Sequence, residues 1–214
     1  MNENLLIIFV KEPRLGFVKT RLAKYTSDEF ALNLYISFVK DIINKCKDQN
    51  FDIKLCGYKD LELITKTFGD YDNFTQCQGD LGKKMNNAFE VQFDKHYKKI
   101  LLTGSDIPSI STDIIITAFS KLTSNSITIG PSKDGGYYLI GFRKDTFNGD
   151  IFNNISWSTP LVLEQTLNKS NENNIFLLKK LNDIDTIEDL KKESKNLHSI
   201  QYLQRSQIWK NMMS

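Results

Sequence analysis

The side chains able to do chemistry fall into a few clusters set between apolar runs. Lys11-Glu12-Pro13-Arg14-Leu15-Gly16-Phe17-Val18-Lys19-Thr20-Arg21 places four cations, Lys11, Arg14, Lys19 and Arg21, around a flexible Gly16. Such a loop can neutralise phosphates through charge-assisted hydrogen bonds. It matches neither the GxxxxGK[ST] nor the GxGxxG phosphate loop, and a solvated basic loop is an equally open reading. Thr103-Gly104-Ser105-Asp106-Ile107-Pro108 ends a strongly apolar segment in a carboxylate. A buried-strand carboxylate is costly unless it is paired, solvated or bound to a cation. Mg²⁺ is commonly held by one or two carboxylates plus phosphate oxygens, so Asp106 is a candidate metal ligand. The competing reading makes it a cap for a helix near Ser111.

Three further segments carry weaker signals. Asp134-Gly135-Gly136-Tyr137 reads as a hairpin turn, but Gly135 and Gly136 would also leave backbone amides open to a ligand, with Asp134 as a polar handle. In Asn182-Asp183-Ile184-Asp185-Thr186-Ile187-Glu188-Asp189, two alternating acids would point the same way on an extended segment. Asp185 could then supply a second carboxylate to a metal, although Thr186 with Asp189 already explains part of the pattern as a helix cap. Gly79-Asp80-Leu81-Gly82 sits at a helix start, where anions are favoured; a turn with surface charges serves equally well. Trp157 offers a stacking face.

Several function classes are disfavoured. The chain has only two histidines, His96 and His198, neither near a metal-ligating partner, so a Ser-His-Asp hydrolase is not expected. A net charge of +2, from 28 basic and 26 acidic residues spread along the chain, lacks the one-signed surface of a nucleic-acid binder. Three cysteines without CxxC spacing argue against a disulfide framework or zinc site and for a reducing compartment. The apolar run at Leu5–Val10 is too short to span a membrane and lacks signal-peptide flanks. The expectation is a cytoplasmic protein with no membrane or nucleic-acid partner.

The elements that must position these residues alternate short apolar runs with longer amphipathic segments, the pattern of βα units and a mainly parallel sheet. Strands are expected at Leu5–Val10, Asp52–Gly57, Phe74–Cys77, Lys99–Thr103, Ser126–Gly130, Tyr137–Phe142 and Ile175–Leu178. A helix is expected from Thr26, with a Thr26/Glu29 capping box, to Lys47, and Phe30, Leu34, Phe38 and Ile42 share its apolar face. Others are expected at Leu61–Phe68, after Gly82 with Met85, Ala88, Phe89 and Phe93 inward, at Ser111–Leu122, at Thr159–Leu167, from Thr186 and from about His198. One domain over residues 1–214 is expected. Tyr202 and Trp209 suit either a homodimer contact or, more commonly, packing within a monomer.

Taken in order, Phe9-Val10-Lys11-Glu12-Pro13, Gly16-Phe17-Val18-Lys19-Thr20-Arg21-Leu22, Gly79-Asp80-Leu81-Gly82, Gly104-Ser105-Asp106-Ile107-Pro108 and Asp134-Gly135-Gly136-Tyr137 resemble the glycosyltransferase A-like, nucleotide-diphospho-sugar transferase superfamily. Within it the sequence is most similar to the selenodomain-associated transferase 1 group, related to 2-phospholactate and molybdenum cofactor guanylyltransferases. The resemblance implies a three-layer α/β/α fold with a mixed, mostly parallel sheet. It implies a nucleoside triphosphate or nucleotide-sugar donor, an acceptor, and Mg²⁺ or Mn²⁺ held by Asp106 and Asp185. Lys19, Asp106 and Asp134 would be catalytic, with Lys19 and Arg21 the main phosphate contacts. Lys11, Arg14, Gly16, Arg21, Gly79, Asp80, Ser105, Gly135 and Gly136 would bind nucleotide or substrate. The glycine-rich opening of sugar nucleotidyltransferases is replaced by Lys-Glu-Pro-Arg, and Gly104 stands where Asp-x-Asp motifs begin. That tilts the expectation from glycosyl towards nucleotidyl transfer. A silent nucleotide- or metabolite-binding protein is the alternative.

Overall fold

The computed structural model describes residues 2–170, 174–193, 203, 206 and 209–211. Its centre is a seven-stranded sheet ordered β3-β2-β1-β4-β6-β5-β7. The strands are β1 (Asn4–Val10), β2 (Asp52–Gly57), β3 (Asn73–Thr75), β4 (Lys99–Thr103), β5 (Ile127–Pro131), β6 (Tyr137–Arg143) and β7 (Ile175–Leu177). All run the same way except β6, which is antiparallel to both β4 and β5. Leu5 to Ile8 and Val10 are buried because β1 lies mid-sheet with both faces covered, which is why its sequence is an unbroken apolar run.

The helices are α1 (Thr20–Ala23), α2 (Asp28–Cys46), α3 (Leu61–Phe68), α4 (Leu81–Phe93), α5 (Thr112–Lys121), α6 (Val162–Lys169) and α7 (Ile187–Lys192), with 3₁₀ turns at Lys144–Thr146 and Gly149–Phe152. One face of the sheet packs against α2, α3 and α5 through Leu6, Ile8, Val39, Ile42, Ile64 and Ile115. The other packs against α4 and α6 through Leu5, Ile7, Met85, Phe89, Phe93 and Phe142. This is the expected three-layer α/β/α arrangement.

A third apolar cluster was not anticipated. Phe30, Leu34 and Phe38 of α2 do not face the sheet with Ile42. They face Leu22, Ile184, Leu190 and Leu203, with Ile187 and Trp209 against them. Helix α2 therefore carries two apolar stripes, one for the sheet and one for the C-terminal segment. Trp209 packs within the chain through this cluster, whereas Tyr202 and the helix expected near His198 lie outside the described residues. His96 is exposed, its ring tilted against that of Tyr97 with centroids 4.2 Å apart.

The short helix α1 is an addition, and the cap of α2 is a correction. Ser27, not Thr26, accepts from the Phe30 N–H at 3.0 Å, while the Thr26 hydroxyl donates to the Leu22 carbonyl. Two adjacent hydroxyls precede the helix, and the one with extended backbone takes the cap. The capping box of Thr186 and Asp189 is present. Among the described residues, no helix is long and apolar enough to cross a membrane.

The sheet register sets the location of the site. Val10 pairs with Gly57 and Ile8 with Thr103, so the segments after β1 and β4 leave the same edge side by side. Because β6 runs the other way, its first residues and the hairpin turn before it sit at that edge too. The chain after β7 returns there, with Leu181 bridging to Ser132. Replacing Ser27 by Ala should cost about 1 kcal/mol and Glu29 by Ala less than about 0.5 kcal/mol, measured by urea unfolding. The reverse order would restore the capping box at Thr26 and Glu29.

Candidate active site

Lys19 lies where three segments meet. Its side chain is only 2 % exposed, and its ammonium sits 2.6 Å from Asp106 Oδ1, 3.3 Å from Asp185 Oδ1 and 2.5 Å from the Ile184 carbonyl. An ammonium has three N–H donors, and three protein acceptors take them. The residue itself is left-handed, at φ 49° and ψ 39°, an unusual state for a side chain other than glycine. In this arrangement the ammonium expected to reach phosphates is held inside the protein, tying the first loop to the end of β4 and to the C-terminal segment, while Lys19 still borders the basic hollow.

That C-terminal segment is brought in by the third apolar cluster. Ile184 is fully buried beside Leu22 and Phe38, and its N–H donates to the Asp106 carbonyl at 3.1 Å. Burial of Ile184 thus delivers Asp185 to within 3.9 Å of Arg21 as well as to Lys19. Burial works to raise the Asp106 carboxyl, but Lys19 and then Lys11 outweigh it and hold the group below the ordinary carboxylate range. Asp106 does not cap the following helix, a role taken by Ser111.

Two hollows flank this junction. A basic one of about 240 Å³ is lined by Lys11, Phe17, Lys19, Thr20, Arg21 and Asp185. A second, of about 360 Å³, is lined by the carboxylates Asp106, Asp134, Asp183 and Asp185 and by apolar and aromatic side chains that include Ile107, Tyr137 and Trp157. Larger hollows, of about 410 and 560 Å³, lie at the opposite edge of the sheet around Ser126 and Asn174 and around Asp52 and Asp70. The Asp183 carboxyl is pushed up to about 6, first by burial and then by the nearby charge of Asp134 and Asp185. Such an excess of hard oxygen donors suits Mg²⁺ or Mn²⁺ in chemistry. Among the described residues, however, no three His, Cys, Asp or Glu side chains are arranged around one metal position. The cation between Asp106 and Asp185 is Lys19.

The remaining expected residues divide. Lys11 and Arg21 border the basic hollow, and Asp134 borders the acidic one. Arg14 is drawn away, its guanidinium 2.5 Å from Asp60 and 3.4 Å from Glu12. Gly16 supplies a turn at φ 75°. Gly79 turns the chain at φ 127°, and Asp80 caps α4 by accepting from Lys83 N–H. Ser105 is buried against the Tyr35 hydroxyl.

The amides of Gly135 and Gly136 are not open: they donate to the Ser132 carbonyl and to Asp134. Asp134 also accepts from the Ser132 hydroxyl. Gly135 is required for packing, since at φ 92° a Cβ would lie 2.2 Å from the Pro160 carbonyl oxygen. That close approach fastens the hairpin to the segment carrying Trp157.

The family model described as "Uncharacterized protein conserved in bacteria (DUF2064)" matches residues 43–159, more than half of the chain. The chain belongs to this family. A curated relative, the 2-phospho-L-lactate guanylyltransferase of Methanocaldococcus jannaschii, is 28% identical over 127 residues, 59% of this chain and 54% of the relative. The chain thus spans little more than half the length of that relative. A solved structure from Desulfovibrio desulfuricans G20, provisionally described as a nucleotide-diphospho-sugar transferase, is 33% identical, with a TM-score of 0.89 over 98% of this chain and 93% of that one. The 4-diphosphocytidyl-2C-methyl-D-erythritol synthase of Anaerococcus prevotii superposes with a TM-score of 0.60 at 14% identity, over 95% of this chain and 97% of that one, and shares the fold. The nucleotide-diphospho-sugar transferase fold expected from the motifs is the fold observed.

Sequence reasoning missed two residues of this DUF2064 chain. Tyr35 is buried in α2, its hydroxyl 2.7 Å from the Lys11 N–H and 3.3 Å from the Lys11 carbonyl, which fixes the start of the basic loop. Burial raises its pKa, so it remains a neutral hydrogen-bonding group. Phe17, 66 % exposed at the basic hollow, offers an open ring face. An exposed aromatic in a Gly-Phe-Val-Lys run is the signal that would have found it.

Replacing Lys19 by Met keeps the stem and removes the charge, leaving Asp106 and Asp185 facing each other. Breaking a fully buried pair costs about 3–5 kcal/mol. With Asp106 and Asp185 29 % and 43 % exposed, about 2–3 kcal/mol is expected at pH 7 in EDTA, from urea unfolding. Asp106 has a lowered folded pKa, so its share of the stability is present above the unfolded value of about 3.9 and fades as pH falls through the folded one. The gap between the two proteins should therefore narrow towards pH 3; a gap constant from pH 7 to 3 would remove the charge pair as its source.

Proposed function

We propose that this chain is a metal-dependent transferase using a nucleotide donor, with nucleotidyl transfer favoured over glycosyl transfer. The observation that carries the reading is the side-by-side placement of a basic hollow and a carboxylate-lined hollow, joined at Asp185. A nucleoside triphosphate complexed with a divalent metal needs both: cations for its phosphate oxygens and carboxylates for its metal. The guanylyltransferase name of the curated relative and the absence of an Asp-x-Asp pair at Gly104–Asp106 support nucleotidyl transfer.

In this reading Lys11 and Arg21 bind the donor phosphates, and Asp106 and Asp185, with Asp183 beside them, hold Mg²⁺ or Mn²⁺. The metal, when bound, would stabilise negative charge on the phosphoryl group and its leaving pyrophosphate. Lys11 and Arg21 add fixed positive charge on the leaving-group side. Asp134, Tyr137 and Trp157 border the space left for the acceptor.

Thermal unfolding in GTP, CTP, ATP, UTP and nucleotide sugars, with Mg²⁺, Mn²⁺ or EDTA, tests the reading. One nucleotide at a hundred times its Kd should add about 2.7 kcal/mol, or roughly 5–10 °C for a chain of this size, and EDTA should remove most of the shift. Pyrophosphate among the products of that donor with a metabolite extract marks nucleotidyl transfer, and nucleoside diphosphate marks glycosyl transfer. Asp106→Asn should lower product formation at least about a hundredfold while retaining part of the nucleotide-induced shift. A folded protein that no nucleotide stabilises would rule the reading out.

A further inference from the structure

The one cation already seated between the two proposed metal-binding carboxylates belongs to the protein. The Lys19 ammonium is 2.6 Å from Asp106 Oδ1 and 3.3 Å from Asp185 Oδ1, with its third donor on the Ile184 carbonyl at 2.5 Å. A divalent ion bound by these carboxylates sits about 2.0–2.1 Å from each oxygen. An ammonium in the same gap would repel it at close range and compete for the same lone pairs. The metal site is thus self-neutralised, and occupancy by an external cation requires Lys19 to give way.

The path open to a displaced ammonium is the basic hollow, which Lys19 already borders together with Lys11 and Arg21. Moving a third positive charge beside those two is unfavourable unless an anion is there to receive it. A phosphate group in that hollow would supply the anion.

We infer that Lys19 is a built-in counter-cation that keeps the metal site filled until phosphate arrives, so that metal and donor phosphate bind cooperatively. This rests on the metal-dependent reading above. Lys19 acts here as a positioning residue with two stations, carboxylates when the site is empty of metal and phosphate when it is loaded. By linkage, whatever factor the phosphate adds to metal affinity, the metal adds to phosphate affinity. A lysine fixed as a purely structural bridge would do the opposite: its loss would splay Asp106 and Asp185 and weaken the metal.

The test is Mn²⁺ binding, read by the electron paramagnetic resonance of free Mn²⁺, for the wild type, Lys19→Met and Lys19→Gln. Gln can still donate to Ile184, which guards against a misfolded Met variant, and thermal unfolding confirms that each variant is folded. Without phosphate, Mn²⁺ should bind both variants at least about tenfold more tightly than the wild type. Added pyrophosphate, with allowance for its Mn²⁺ complex, should tighten Mn²⁺ on the wild type at least about tenfold and on Lys19→Gln distinctly less. Equal or weaker Mn²⁺ binding by folded variants, with the wild type binding Mn²⁺ in pyrophosphate, overturns this inference alone. No Mn²⁺ binding by any protein under any condition overturns the metal-dependent reading together with it.

Discussion

One ammonium group fixes the relation between three parts of the chain that are far apart in sequence. Lys19 closes the first loop, Asp106 follows the fourth strand, and Asp185 lies near the end of the described chain. Each is charged, and each would be costly at a half-buried strand edge if left alone. Their mutual satisfaction makes the edge tenable. The apolar contacts around Leu22, Phe38 and Ile184 hold them at the required spacing. The pairing is not an independent source of stability so much as the condition under which those charges can be kept in one place.

The fold supplies that place by register. A parallel pair, β1 and β4, sends two successive loops out of one edge, and the reversed strand β6 brings a hairpin turn to the same edge. Ligands of open α/β sheets gather outside the carboxyl ends of strands because connecting loops meet there. Here the reversal of β6 adds a wall to that crevice. The Gly135–Pro160 contact then fastens the wall to the Trp157 segment, so that carboxylates and aromatic rings line a single hollow.

Much of this was legible in the sequence. Unbroken apolar runs marked β1 and β4 to within a residue because strands covered on both faces have no polar side to show. The box at Thr186 and Asp189 was legible because caps are local chemistry. Convergence of Asp106 and Asp185 followed from the resemblance to related transferases. What could not be read was whatever depends on a distant partner. The second stripe of α2 has its partners at Ile184, Leu190 and Leu203, at the far end of the chain. Lys19 was assigned to phosphate from its place in a basic loop and from the family resemblance, and its enclosure between Asp106 and Asp185 depends on partners far along the chain. Gly135 and Gly136 were taken as open amides, whereas Asp134 and Ser132 use those donors within the turn.

Backbone strain gives an independent view of where the structure is over-determined. Among the described residues, five other than glycine have positive φ, and two of them, Lys19 at 49° and Ser158 at 64°, border the two hollows. Such conformations persist only where surrounding contacts enforce them. For Lys19 those contacts are the three acceptors of its own ammonium. For Ser158 they are the neighbours on either side: Trp157, packed over Gly82 so tightly that a Cβ there would meet its ring at 2.9 Å, and Pro160, held against Gly135. These two strained positions therefore lie on pieces that shape the basic and acidic hollows. Relaxing either one would loosen the spacing between the cations, carboxylates and aromatic rings that line the two hollows.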